Sequence, residues 1–468
     1  MLRILSTALV IILCVLAVTP PSHAGKKTWS HQEYFESYEG TTTCLECHRD
    51  EAESFFHTRH YQWRGDSSEI DNADGEQMGK MTATNDFCTN PAPNWIGAVK
   101  NSDGQTLARG CSACHAGLGK MPEPELSEEQ LENIDCLICH ASGYRRDVYQ
   151  NEAGEWEIKP ILWKNQRGLD SVSKRISLPT RGMCLRCHSG AGGGPNFKRG
   201  DIEYEMAECD ADFDVHMAIE GNDLQCIDCH AGDDHRIPGR GADLAGPDPE
   251  ATDLSCSTCH DGPVHEVAIL DHHTERVACT SCHIPTFAKA NPTDMRRDWS
   301  TPQFHEEGNR FSATITFGSD VVPVYAWFNG RSELQKMGEE IKVGDDGKLS
   351  LAHPLGNRKD KQARIHPFKL HEGKLPVMRD KRWILPIAVE EFFADGELDH
   401  AVREAAEFAY GVHDFEYDWV ETTRYMSINH EVVPAERALD CLECHREGGR
   451  MDWDALGYKK DPMLDHID

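Results

Sequence analysis

The chain has 468 residues, enough by length for two to four domain-sized units. Apolar residues make up 39% and charged residues 27%, with a mean hydropathy of −0.57, which is a lean apolar supply for so long a chain. Lys and Arg number 48 against 79 Asp and Glu, a formal charge of −31, and this argues against a nucleic-acid binder held by phosphate contacts.

Arg3 gives a short basic start, and an apolar run follows over residues 4–19. Ser22 and Ala24 place small residues at −3 and −1 of a cut before Gly25. This is the three-part form of a secretory signal, and the run is short for a stable membrane span. An uncleaved anchor is the alternative; a lipoprotein cut at Cys14 is disfavoured because Leu13 precedes it. The expected mature chain is exported, periplasmic and without a further span. Its charge is about −32, because Arg3 is the one charge removed.

The decisive counts are 19 Cys and 25 His. Cys-x-x-Cys-His recurs eight times, first at Cys44/Cys47/His48, Cys111/Cys114/His115, Cys136/Cys139/His140 and Cys184/Cys187/His188. The others are Cys226/Cys229/His230, Cys256/Cys259/His260, Cys279/Cys282/His283 and Cys441/Cys444/His445. Chance would supply about 0.04 such motifs at this composition. Two thiols three residues apart each form a thioether to one haem vinyl group, and the next residue brings an imidazole to the iron. Zinc pairs leave the histidine unexplained, and a thioredoxin-like redox pair has no reason to recur. The motifs therefore predict eight covalent c-type haems; the sequence leaves calcium open. Only Cys88 and Cys209 are left over once Cys14 departs with the signal.

Eight motif histidines leave seventeen others, so eight bis-His haems are affordable by count and the count does not separate electron carriage from chemistry. The first seven motifs fall between residues 44 and 283, and the eighth follows 162 residues after the seventh. Three regions are expected: a signal over 1–24, a heptahaem region over 25–284, and a haem-poor wrapping region over 285–468. The expected fold is mainly α with much irregular structure, wound around closely packed haems that supply buried apolar area. Residues 311–317 and 321–328 alternate around Gly318-Ser319-Asp320 and predict a small β-hairpin. Residues 398–410 predict a helix, 190–194 a glycine loop, and 232–249 an exposed connector.

Thr43-Cys-Leu-Glu-Cys-His48 followed by Thr58-Arg-His-Tyr-Gln-Trp63 resembles the opening of the octahaem tetrathionate reductase family. Further agreement comes from Asn85-Asp-Phe-Cys88, Gly190-Ala-Gly-Gly-Gly-Pro-Asn-Phe-Lys-Arg-Gly-Asp201, Asp214-Val-His-Met217, Val322-Pro-Val-Tyr-Ala-Trp-Phe-Asn-Gly330 and Ile428-Asn-His430. The resemblance covers nearly the whole mature chain. It implies seven bis-His haems and one catalytic haem with a lysine ligand, here Lys198 at the haem of Cys111 and Cys114. The remaining distal ligands are then expected to be His60, His216, His235, His265, His273, His371 and His430, with His57, His272, His353 and His366 as substitutes. Cys88 matches the family's extra cysteine near the catalytic haem, where a thiol meets a sulfur substrate by exchange; the alternatives are a disulfide with Cys209 or an inert thiol. Lys198, Arg199 and Arg109 are candidate positive charges for an anionic substrate, and haem propionates are their other natural partners. The expected function is reduction of a small sulfur or nitrogen compound such as tetrathionate, nitrite or hydroxylamine. The rival is an electron conduit with no substrate site, and a third option is hydroxylamine-type oxidation. A redox partner is expected to dock through a basic patch, in a contact weakened by salt.

Overall fold

The computed structural model describes residues 28–87, 95–107, 110–162, 168–239 and 254–464. The expected signal, much of the 232–249 connector, Cys88 and Arg109 lie outside these residues. Among the described residues no helix is long and apolar enough to cross a membrane.

The described residues of 28–284 form helices of one or two turns and short two-stranded ribbons. Most of the helical turns belong to the motifs: Leu137–His140, Arg181–His188, Cys226–Cys229 and Thr280–His283 are helical, as is Cys441–Cys444 in the later stretch, and Cys111–Ala113 and Cys256–Thr258 are tighter 3-10 turns. The motif histidine N–H donates back to the first cysteine's carbonyl, for example His48 to Cys44 at 2.8 Å and His445 to Cys441 at 2.8 Å. That bond places positions i, i+3 and i+4 on one face, so both thiols and the imidazole point the same way.

The haem-poor stretch forms a seven-stranded sheet. Its strands are β1 (Thr293–His305), β2 (Arg310–Gly318), β3 (Val324–Phe328), β4 (Ser332–Leu334), β5 (Leu349–Pro354), β6 (Arg364–Met378) and β7 (Tyr417–Ser427). The order is β2-β1-β6-β7-β5-β4, with β3 beside the start of β6. Strand content is 25% against 22% helix, so the fold is of mixed class and not mainly α. The expected hairpin is also corrected. Both segments are strands, but β2 pairs with β1 and β3 with β6. Val321 is drawn away by paired backbone bonds to Phe287 at 2.9 and 3.0 Å, and Pro323 offers no donor for a continuing ladder.

The period of two along β6 sorts its side chains. Lys369, His371, Leu375 and Val377 share its buried face, which changes along the strand from charged to apolar. At the apolar end the core comprises Trp299, Leu375, Val377, Ile384, Leu385, Phe392 and the buried side of two helices. The first helix, α1, spans Val389–Asp395, and the second, α2, spans Leu398–Tyr410, the predicted span. Ala401, Val402, Ala405 and Ala406 form the α2 stripe against the sheet, and Gly411 at φ 65° ends the helix in the left-handed conformation.

Candidate haem array and active site

The motif histidines face second histidines at a nearly constant separation. Ring centroids lie 6.2 Å apart for His31–His48, 6.1 Å for His60–His188, 6.2 Å for His140–His235 and 6.1 Å for His216–His260. They lie 6.2 Å apart for His230–His430, 6.3 Å for His265–His283 and 6.2 Å for His273–His445. Two imidazoles bound through Nε2 at about 2 Å to one metal have centroids roughly 6.3 Å apart. The spacing therefore fits an iron between each pair.

The other ring nitrogens agree. Nδ1 of His140 meets Ser177 O at 2.9 Å, His230 meets Pro238 O at 2.6 Å, and His273 meets Ile269 O at 2.8 Å. His265 meets Asp271 at 2.9 Å, His430 Asp201 at 3.1 Å and His445 Asp461 at 2.7 Å. An Nδ1–H committed to an acceptor leaves Nε2 as the metal-binding lone pair.

Six of the seven expected distal histidines thus face a motif histidine. His371 is the exception and is corrected. It is fully buried, with Nδ1 2.7 Å from Asp86 and Nε2 3.2 Å from Asp294, so both nitrogens are committed and neither faces a motif. The residue the sequence reading missed is His31, the single histidine between the expected signal cut and the first motif. None of His57, His272, His353 and His366 takes part in these ring pairs; His57 packs on Phe56 and His272 meets Glu275.

Thiols of different motifs also meet. Cys44 contacts Cys136, Cys114 contacts Cys187, Cys184 contacts Cys226, and Cys256 contacts Cys279. Cys139 is within electrostatic reach of Cys184, Cys229 of Cys259, and Cys282 of Cys441. Numbered by motif, direct contacts join 1–3, 2–4, 4–5 and 6–7, and electrostatic neighbours join 3–4, 5–6 and 7–8, so the order runs 1–3–4–5–6–7–8 with motif 2 branching from motif 4.

Cys47 is exposed, as are the motif thiols Cys114, Cys229, Cys256, Cys259 and Cys441. The first motif's turn is formed like the others, with Cys47 N–H donating to Cys44 O at 3.2 Å.

Motif 2 is also the one whose histidine lacks a histidine opposite it among the described residues. Trp95 and Trp63 flank His115 at 5.7 and 5.9 Å between centroids. Burial first, and then Lys80, push the His115 imidazole down to about 3, so it stays neutral. Lys80 is the strongest cation acting on His115, and no motif in the sequence marked it. Arg146 fixes this turn: its guanidinium donates to the carbonyls of Ser112 and His115 and pairs with Asp135 at 3.0 Å.

Cys187 Sγ lies 3.8 Å from Cys114 O, which brings the glycine loop after motif 4 to the neighbourhood of motif 2. Lys198 closes that loop, its N–H donating to Ala191 O at 3.2 Å. Its carbonyl accepts from Lys369 Nζ at 2.9 Å. Arg199 is turned toward Ser427 O (2.9 Å) and Asp201 (3.5 Å). Cys209 is a buried free thiol among Leu185, Met206, Phe213 and Met217, and burial pushes it up to about 11. It is inert at neutral pH.

Behind the loop lies a buried ionic cluster. Arg424 pairs with Asp86 at 2.7 Å and Arg297 with Asp294 at 2.7 Å, with His371 between the two carboxylates. Burial alone raises the Asp86 carboxyl, but Arg424 and His371 overcome this and hold it far below the usual range. Burial pushes Lys369 down to about 7.

The profile described as "Cytochrome c bacterial" matches residues 294–448. An uncharacterized protein of Archaeoglobus fulgidus is 35% identical over 246 residues, covering 45% of this chain and 79% of its own. The crystal structure of an octahaem cytochrome c from Shewanella oneidensis superposes with a TM-score of 0.74 at 29% identity, covering 91% of this chain and 94% of that one. With the motif geometry, these matches establish that the chain is a multihaem c-type cytochrome similar in fold to octahaem cytochrome c.

Proposed function

We propose that this protein is an exported octahaem reductase that delivers electrons through seven bis-His haems to one differently ligated haem on Cys111 and Cys114. The observation that carries the reading is the contrast between seven facing histidine pairs and His115, which is flanked by Trp63, Trp95 and Lys80. Bound haem supplies one-electron redox chemistry, and a bis-His iron offers no free position to a substrate. The branch position of motif 2 suits a terminus at which electrons leave the relay. Lys198 is the proposed lysine ligand, and tetrathionate, nitrite or hydroxylamine the proposed substrates. Lys80 and Lys198 supply local positive charge in an acidic protein.

The proposed donor carries a basic patch. Around His48 the exposed side chains include Glu33, Glu36, Glu39, Glu46, Asp50 and Glu51, which favours docking at the motif 1 end of the array, with an association rate that falls as salt rises. EPR of the oxidised holoprotein, comparing wild type with Lys198→Ala, tests the ligand. A change confined to one haem signal, with turnover of at least one of the three substrates by the wild type, supports the reductase. Eight unchanged bis-His signals and no turnover favour the electron conduit.

A further inference from the structure

Six side chains of the ionic cluster are shielded from solvent: Asp86, Asp294, Lys369, His371 and Arg424 are 0% exposed and Arg297 is 4% exposed. Burying so many charged groups is costly, and apolar residues of similar volume commonly serve stability as well or better. Their hydrogen bonds end on two loops. Arg297 donates to Phe87 O and, at 2.8 Å, to Gly192 O. Lys369 Nζ donates to Phe197 O (2.9 Å), Lys198 O (2.9 Å) and Thr293 Oγ1 (2.6 Å). The Phe87 ring stacks on His371 at 4.1 Å, and a Cβ on Gly192 would meet both Lys198 (3.0 Å) and Phe87 (3.3 Å). The donors lie on β1 and β6 of the haem-poor sheet, whereas the loop carbonyls that accept belong to the haem-rich region.

We propose that Lys369 and Arg297, held by Asp294, His371 and Asp86, are positioning residues that set the placement of the Lys198 backbone against Phe87 and so aim the Lys198 side chain at the haem of motif 2. The proposal rests on the reading of Lys198 as a ligand of that haem. It gives the haem-poor sheet a task in catalysis: side chains anchored on inner strands of a sheet fix the loop carbonyls more rigidly than a glycine loop can fix its own. Lys369 acts through Lys198 and does not itself touch substrate.

The test uses the full-length holoprotein with all eight haems. EPR of the oxidised protein is recorded for wild type, Lys198→Ala, Lys369→Met and the milder Thr293→Val, which removes one of the three acceptors of Lys369. The expected result is that Lys369→Met shifts or broadens the same single-haem signal that Lys198→Ala changes, leaving the other seven unaltered. Thr293→Val is expected to produce a smaller shift of that signal, and it carries the test if Lys369→Met does not fold. If Lys198→Ala moves the signal while Lys369→Met or Thr293→Val lowers only the melting temperature, the positioning role is overturned and the ligand reading stands. If Lys198→Ala moves nothing, the ligand reading fails and the positioning role fails with it.

Discussion

Residues 28–284 and the sheet of residues 293–427 solve the same problem by different means. The sheet buries a continuous apolar core of its own, from Trp299 through Phe392 to the alanine face of α2. Among its described residues the haem-rich region has small separate clusters, such as Leu137, Ala141, Tyr144 and Val172. It leaves Val264, Val267, Ile269 and Leu270 exposed beside His265 and His273. A porphyrin face is the apolar surface those side chains would cover. One region thus folds as a protein, and the other folds around a cofactor its motifs must first capture.

The comparison breaks most severely if haem attachment is prevented. In protein made without haem, hydrogen exchange is expected to show protection over residues 293–427 and near-complete loss over residues 41–283. Uniform protection across both would mean that the haem-rich region has a core of its own. The next largest effect lies where the regions meet. Arg424→Met strips the buried Asp86 of its guanidinium, and chemical denaturation of the holoprotein is expected to show a loss of about 3–5 kcal/mol. A third test separates a ligand histidine from a bracing one. His31→Ala should open one coordination position and give one new high-spin EPR signal, whereas His371→Asn should leave all seven bis-His signals in place.

The haem-rich region was legible because its chemistry is written in local spacing. Cys-x-x-Cys-His fixes attachment within one helical turn, and the structure pairs seven of those histidines with partners from 17 to 200 residues away, His31–His48 and His230–His430 being the extremes. Those partners carry no local signature. His31 and His371 look alike as isolated histidines, and only the two carboxylates around His371 show that it braces a loop. Nor does the motif say which thiols face inward: Cys44 and Cys47 belong to one turn, yet only Cys47 is left exposed. The sheet was read poorly for the opposite reason. Its strands alternate visibly, but β1 reaches β6 in parallel across some seventy residues, and alternation names no partner. The helix α2 was read to the residue because its alanine stripe and Gly411 are local signals.

The smallest expected effect belongs to the sheet region alone. Glu390, on α1, has one carboxylate oxygen buried without a hydrogen-bond partner. Burial, reinforced by Glu404 and Glu391, pushes this carboxyl up from 4.5 to about 7. The folded state therefore holds the proton more tightly than the unfolded chain. The stability this contributes is complete below about 4.5 and is lost as pH rises through about 7. Exchange protection over residues 389–410 is expected to fall between pH 5 and pH 8 after correction for intrinsic rates. Glu390→Gln, which keeps the shape without the charge, should flatten that fall and stabilise the helix pair at pH 8 by about 1–3 kcal/mol. The seven bis-His signals should not respond, because the helix pair packs on the apolar end of β6 and not on the charged end that meets the haem-rich region.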